Sequence, residues 1–165
     1  MLLDALNLLS GDGVNAATLT GQTVTAVGAT ASTNAIDLAP NDIGQHMPGD
    51  LGAGQPLYVV VHALADLASA GAATLQIQLV LADDPNLATN LALVYLSRVY
   101  AYTEVKRTTD LSFTWPRLRV GAPQRYAGLR FVIAGAPLTA GSFWAATTTD
   151  RDSLGPIFNT RWSIA

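Results

Sequence analysis

The chain has 165 residues, a formal net charge of −3, no cysteine, and only 13% charged side chains. That length fits one domain with a self-sufficient core, and the absence of cysteine excludes disulfides and thiolate metal sites. A charge content about half the usual share, with a mean hydropathy of +0.30, points to a surface partly covered by something else.

The charges are unevenly placed. Residues 1–97 hold eight acids and no Lys or Arg, while 98–165 hold nine Lys/Arg and four acids, so the halves carry −8 and +5. Either the fold has an acidic and a basic face, or its strands interleave and mix the charges; the sequence leaves both open.

At the start, Leu2, Leu6 and Leu9 stand at helical spacing and the run stops at residues 10–13 (SGDG). Ten residues do not hold a helix alone in water, so this apolar arm must dock on its own domain or on a neighbour. Asp4 follows at once and no basic segment precedes it, unlike a secretory signal. The uncharged runs 13–36 and 131–149 are broken by Thr, Gly, Ser or Pro and do not read as membrane spans, so a soluble protein is expected. Residues 18–27 read as a Thr-rich strand, 28–31 as a turn, and 32–38 as a short strand with Asn34, Ile36 and Leu38 on one side. Three prolines and four glycines make 39–56 a long surface loop.

Residues 57–64 (LYVVVHAL) are apolar on both faces and read as a central strand; 65–70 connect it onward. The clearest element is 75–81, where Leu75, Ile77, Leu79 and Leu81 alternate with Thr74, Gln76 and Gln78 and the run ends at Asp83-Asp84-Pro85. A period of two puts the four aliphatics on one buried face of an antiparallel sheet. Residues 86–103 read as a loop, then a strand from Val94. Leu111, Phe113 and Trp115 alternate until Pro116, where the parity flips, as at a bulge or edge strand. In 126–134 the apolar set is Ala127, Leu129, Phe131 and Ile133; 137–141 turns, and 142–149 is expected to pair back. The whole reads as an all-β, antiparallel jelly roll or β-sandwich with short terminal arms: 1–13 an arm, 14–150 the domain, 151–165 a tail.

Chemistry is scarce. Nucleophilic catalysis needs a base beside the nucleophile, and only His46 and His62 are present. His62 lies in the most apolar strand and reads as a sheet histidine. Asp42, His46 and Asp50 would align on a helix, but Pro40, Gly44, Pro48 and Gly49 forbid that helix, so no metal site is expected. Asp83 and Asp84 read as a strand-end turn, and Gly52 and Gly54 lack the helix a phosphate loop needs. Lys106, Arg107, Arg117, Arg119 and Arg125 lack interleaved aromatics, and the pI is about 5.1, so nucleic acid is not an expected partner. Neither is a membrane. The reading is of a non-enzyme without cofactor.

Five stretches, 1–10, 32–38, 50–61 (DLGAGQPLYVVV), 71–84 and 125–141, resemble in their order and spacing the Bbp16-like capsid cement (decoration) proteins of tailed bacteriophages. Residues 85–124 and the tail after Asp150 carry none of the likeness. The resemblance implies a jelly roll bound outside an icosahedral shell of major capsid protein. There it would bridge capsomers against the pressure of packaged DNA and self-associate; low charge and two apolar arms point to a homodimer before a homotrimer. Such a protein is made in the host cytoplasm and ends on the outer surface of the virion. The side chains expected to dock on shell or sister subunits are Leu2, Leu6, Leu9, Phe158 and Trp162 of the arms, with Arg107, Arg117, Arg119 and Arg125 as a polar rim. The alternative is a phage-borne carbohydrate-binding jelly-roll module using Trp115, Trp144, Tyr100 and Tyr102 as sugar platforms.

Overall fold

A computed structural model describes residues 7–13, 19–38, 56–107, 109–116 and 124–149. The alternation of 75–81 appears as strand β7 (Thr74–Ala82), and that of 126–134 as β11 (Tyr126–Ala134). The two pair antiparallel in unbroken register, from Thr74 opposite Ala134 to Ala82 opposite Tyr126. Every second side chain of both strands is buried in the core: Leu75, Ile77, Leu79 and Leu81 from one, Ala127, Leu129, Phe131 and Ile133 from the other.

This pair is the centre of one antiparallel sheet. On the far side of β11 lie β3 (Gly28–Ala31) and β4 (Ile36–Asp37); on the far side of β7 lie β8 (Ala92–Leu96) and β9 (Tyr100–Ala101). Facing it is a second antiparallel sheet in which β13 (Ser142–Thr148) and β5 (Tyr58–Ala63) are central. β1 (Leu8–Ser10) and β2 (Gln22–Thr23) flank β13, and β10 (Phe113–Thr114) flanks β5. A small ribbon of β6 (Ala68–Ser69) and β12 (Leu138–Ala140) sits apart. The inner faces meet in one core, where the rings of Phe131 and Phe143 stack across the sheets with centroids 4.8 Å apart. The protein is an all-β sandwich of the jelly-roll kind.

Several expectations give way. Residues 28–31 form a strand, because the small side chains of Gly28, Ala29 and Ala31 let that backbone lie along β11 from Ile133 to Arg130. The N-terminal run is a strand at Leu8–Ser10. Leu8 joins an apolar cluster outside the second sheet, while Leu9 is fully buried in the chain's own core. Leu9 is therefore unavailable for docking on a neighbour, and the sheet begins inside the segment read as an arm. Residues 142–149 do not pair back on 126–134 across a 137–141 turn; Leu138–Ala140 is a strand of its own paired with β6, and β13 crosses to the opposite sheet. The reason lies in its composition. Phe143 and Ala145 face the core, but Trp144 and Ala146, on the other face, are just as buried beside Leu8 and Val60. A strand apolar on both faces belongs mid-sheet under cover on both sides, and Leu19 and Leu64 supply that cover here. The indole N–H of Trp144 donates to Gly13 O at 3.2 Å.

The described residues also show the two halves of the chain in contact. Arg125 clasps Asp37 with both Nε and Nη2, and Lys106 lies 3.8 Å from Asp66. Both pairs join the acidic half of the chain to the basic half, so among the described residues the strands interleave and these charges meet.

Truncation of a ring in the inter-sheet contact should be costly. Phe131→Ala is expected to remove about 3–5 kcal/mol of unfolding free energy. Gln78→Ala, on the outer face of β7, should change it by less than about 1 kcal/mol. Urea denaturation of the three proteins measures both.

Candidate functional site

Among the described residues, five large apolar side chains are strongly exposed, and four of them cluster on and beside β8: Leu91 (39%), Leu93 (56%), Leu96 (48%) and Val99 (55%). The fifth, Val27, lies before β3. Strict alternation would send Leu93 and Leu96 to opposite faces. A bulge prevents this: Leu96 sits opposite Gln78 and Leu93 opposite Val80, with Val94 as the extra residue between. Both leucines thereby share the outer face, while Ala92, Val94 and Tyr95 pack inward. The Tyr95 ring stacks on Phe113 of the other sheet with centroids 3.9 Å apart, and burial pushes its phenol pKa up, helped by nearby Tyr100.

Both ends of this edge are clamped by a carboxylate. Before β8, Asp84 accepts from Thr89 Oγ1 (2.7 Å) and from the backbone N–H groups of Thr89 (2.7 Å), Asn86 (2.9 Å) and Ala88 (3.0 Å). The Thr89 hydroxyl, then these amides, hold its pKa below the ordinary aspartate value despite some desolvation. The loop it organises carries two non-glycine residues with left-handed backbone, Leu87 (φ 55°) and Asn90 (φ 48°). For a leucine that conformation costs on the order of 1–3 kcal/mol. Its side chain, buried over Val80 and Ala82, returns about 1.5–3 kcal/mol, and the Asp84 bonds add to that. Gly128 lies directly beneath, where any side chain would strike Leu87 Cδ1.

After β8, Ser97 continues the ladder: its N–H donates to Ile77 O, and its Oγ accepts from the Ile77 N–H, each at 2.9 Å. The Arg98 guanidinium lies 4.1 Å from the Tyr100 ring centroid and forms a two-oxygen contact with Glu104 at 3.2 Å. Glu104 also accepts from the Ala101 N–H at 2.8 Å. That amide first, and Arg98 second, lower its pKa.

Of the side chains expected to form an interface, Leu9, Arg107 and Arg125 are described. Leu2, Leu6, Arg117, Arg119, Phe158 and Trp162 lie outside the described residues, as do His46 and the 39–55 loop. Arg107 is exposed on a turn whose backbone N–H bonds Asp66 Oδ1 at 2.8 Å. Arg125, expected to reach a partner's carboxylates, spends its fork on Asp37 of its own chain, with its guanidinium 5.3 Å from the Tyr126 ring centroid. Trp115 and Trp144 are buried, so neither can be a sugar platform. Among the described residues, the indole N–H of Trp115 has no hydrogen-bond partner. Tyr100 and Tyr102 pack half-buried against the core. His62 is a sheet residue, opposite Trp144 in β13 and bridged to Asp110.

The family model of Bbp16 matches residues 18–147. The chain belongs to the Bbp16 family. It is a phage-associated family, and a search of curated proteins gives no match. The span shared with the Bbp16 family runs from β2 into β13, so it takes in the β8 edge and both clamps and leaves out β1 and the termini. Among the described residues, no helix is long and apolar enough to cross a membrane.

What this arrangement offers is contact: an apolar strip on a rigid strand. Its rigidity should depend on pH. Asp84 and Glu104 both have folded pKa values below their ordinary ones. Their contribution is therefore complete above the unfolded values near 4 and is lost as pH falls through the lower folded values. Amide exchange at Ala88, Thr89 and Ala101 should accelerate relative to the β7–β11 ladder as pH drops from 5 towards 2. Asp84→Asn should abolish that acid dependence at Ala88 and Thr89, with hydrogen-exchange mass spectrometry or NMR as the readout.

Proposed function

We propose that this protein is a capsid decoration protein: a non-enzymatic body that binds the outside of a phage head and bridges neighbouring capsomers of major capsid protein. The observation that carries the reading is membership of the phage-associated Bbp16 family across residues 18–147. Three physical features support it. A charge content of 13% suits a surface that spends its life covered. A stiff sandwich transmits load between two attachment points better than a helical hairpin would, because its ladders cross the chain at long range. The exposed strip of Leu91, Leu93, Leu96 and Val99 is apolar surface on and beside a strand paired to β7.

We assign shell contact to the terminal segments with Leu2, Leu6, Phe158 and Trp162, rimmed by Arg107, Arg117 and Arg119. The six residues before the sheet lose about 1–2 kcal/mol of backbone freedom apiece on ordering, against about 1.5–3 kcal/mol gained for each of Leu2 and Leu6 when buried. Their order must therefore come from a surface that buries them. In this role the protein acts on the virion exterior and uses no cofactor, nucleic acid or membrane.

The test is reconstitution. Purified chain added to heads that lack it should bind saturably at fixed lattice positions in cryo-EM maps and raise the temperature at which packed heads release DNA. A version without residues 1–6 and 150–165 should retain its melting temperature within a few degrees and lose at least about tenfold in head affinity. Folded protein that leaves heads bare would overturn the proposal.

A further inference from the structure

We infer that the outer face of the β3–β11–β7–β8 sheet is a socket for a carboxylate of the major capsid protein, with Arg130 at its centre. This rests on the decoration reading and adds to it a face and a chemistry that the terminal segments do not supply. Ala31, Arg130, Gln78 and Leu96 are successive cross-strand partners, so one row about 14 Å long crosses four strands. Beside it runs a second row, Ala29, Val132 and Gln76, in which the Gln76 amide is held by donation to Ser97 O at 3.1 Å. On the other side Leu93 stands opposite Val80. Arg130 is the one charge in these rows, with alanines on one flank and two exposed leucines beyond Gln78 on the other.

Arg98, Lys106 and Arg125 each meet a carboxylate of their own chain. Arg130 does not. Among the described residues its guanidinium has neither a hydrogen bond nor an ion pair, although the residue lies half-buried mid-sheet. The register places one carboxylate on the strands of the same face, Asp37 opposite Tyr126. That lies four residues along β11 from Arg130, about 13 Å away, in the grip of Arg125.

The occupant follows from the charge and its setting. A planar guanidinium takes a carboxylate through two parallel bonds. A nucleic-acid backbone fits poorly, because it is held by several cations and Arg130 stands alone in a chain of net charge −3. Leu93 and Leu96 supply what an exposed ion pair lacks, an apolar rim that excludes water once a protein surface closes over it. An Asp or Glu ringed by apolar side chains on the shell protein answers all of this, and the pair then works in a medium where its attraction is stronger than in water.

The test uses full-length chain and purified heads that lack it. Arg130→Gln should bind heads about tenfold or more weakly and with a flatter salt dependence than wild type. Its melting temperature should stay within a few degrees, because no partner inside the chain is lost. Leu93→Ser/Leu96→Ser should weaken head binding several-fold at an unchanged melting temperature. Lys106 is the chain's only lysine, so Arg130→Lys offers a specific amine for carbodiimide coupling. On decorated heads it should cross-link through position 130 to a shell-protein peptide containing Asp or Glu. Wild-type decoration by Arg130→Gln overturns the inference and leaves the decoration reading standing. A cross-link from position 130 only to another copy of this chain overturns it too, as does Arg130-dependent retention on immobilised DNA without any cross-link to the shell. Wild-type chain that leaves heads bare overturns both readings.

Discussion

Two nine-residue strands, β7 and β11, pair without a slip, and the sandwich hangs on that register. Because side chains alternate, a shift of one residue would turn Leu75, Ile77, Leu79, Leu81 and their partners on β11 away from the core. Every peripheral strand of the outer sheet attaches to one of these two. The same register carries Phe131 to the point where it stacks on Phe143 and so aligns the two sheets. The β8 edge inherits its position from this ladder, since Leu93 and Leu96 are placed by Val80 and Gln78.

The parts legible in the sequence are those where one face of a strand is apolar and the other polar. The alternations of 75–81, 111–115 and 126–134 survive with the expected faces buried, and 57–64 is indeed central. What failed to show was partnership. The strand over 142–148 looked like the return arm of a hairpin because it follows a turn, but its two apolar faces required the middle of the opposite sheet. Leu9 looked like one stripe of a helix, because an isolated Leu8–Leu9 pair carries no period of its own; only β13 decides that one side chain points in and the other out. Gly28–Ala31 has no apolar pattern, and its strand state comes from backbone bonding to β11.

The contact edge was hidden for a related reason. Residues 92–96 offer an unbroken apolar run, from which neither period nor exposure can be read, and a bulge is a property of the pair rather than of the strand. The clamps left a fainter trace. An aspartate followed by amides and a threonine five residues on, as Asp84 is by Thr89, is a loop-capping pattern that reads at first as a simple strand stop. Arginine placement was legible only as chemistry: Arg125 is a carboxylate partner, but the carboxylate is Asp37, 88 residues earlier in its own chain.

That interleaving has a consequence for how the protein is born. β5 finds all its neighbours far downstream, Phe113 opposite Val59 and Thr147 opposite the same valine on its other side. A ribosome adding about 5–20 residues per second needs on the order of ten seconds to supply β13 after β5 has emerged. During that interval the nascent segment carries eight acids and no Lys or Arg through residue 97. Uncompensated negative charge works against premature collapse and keeps neighbouring nascent chains apart. The cations arrive with the strands that complete the sheets, so neutralisation and closure come together. The lopsided charge along the chain is therefore felt most before the sheets close, when like charge repels.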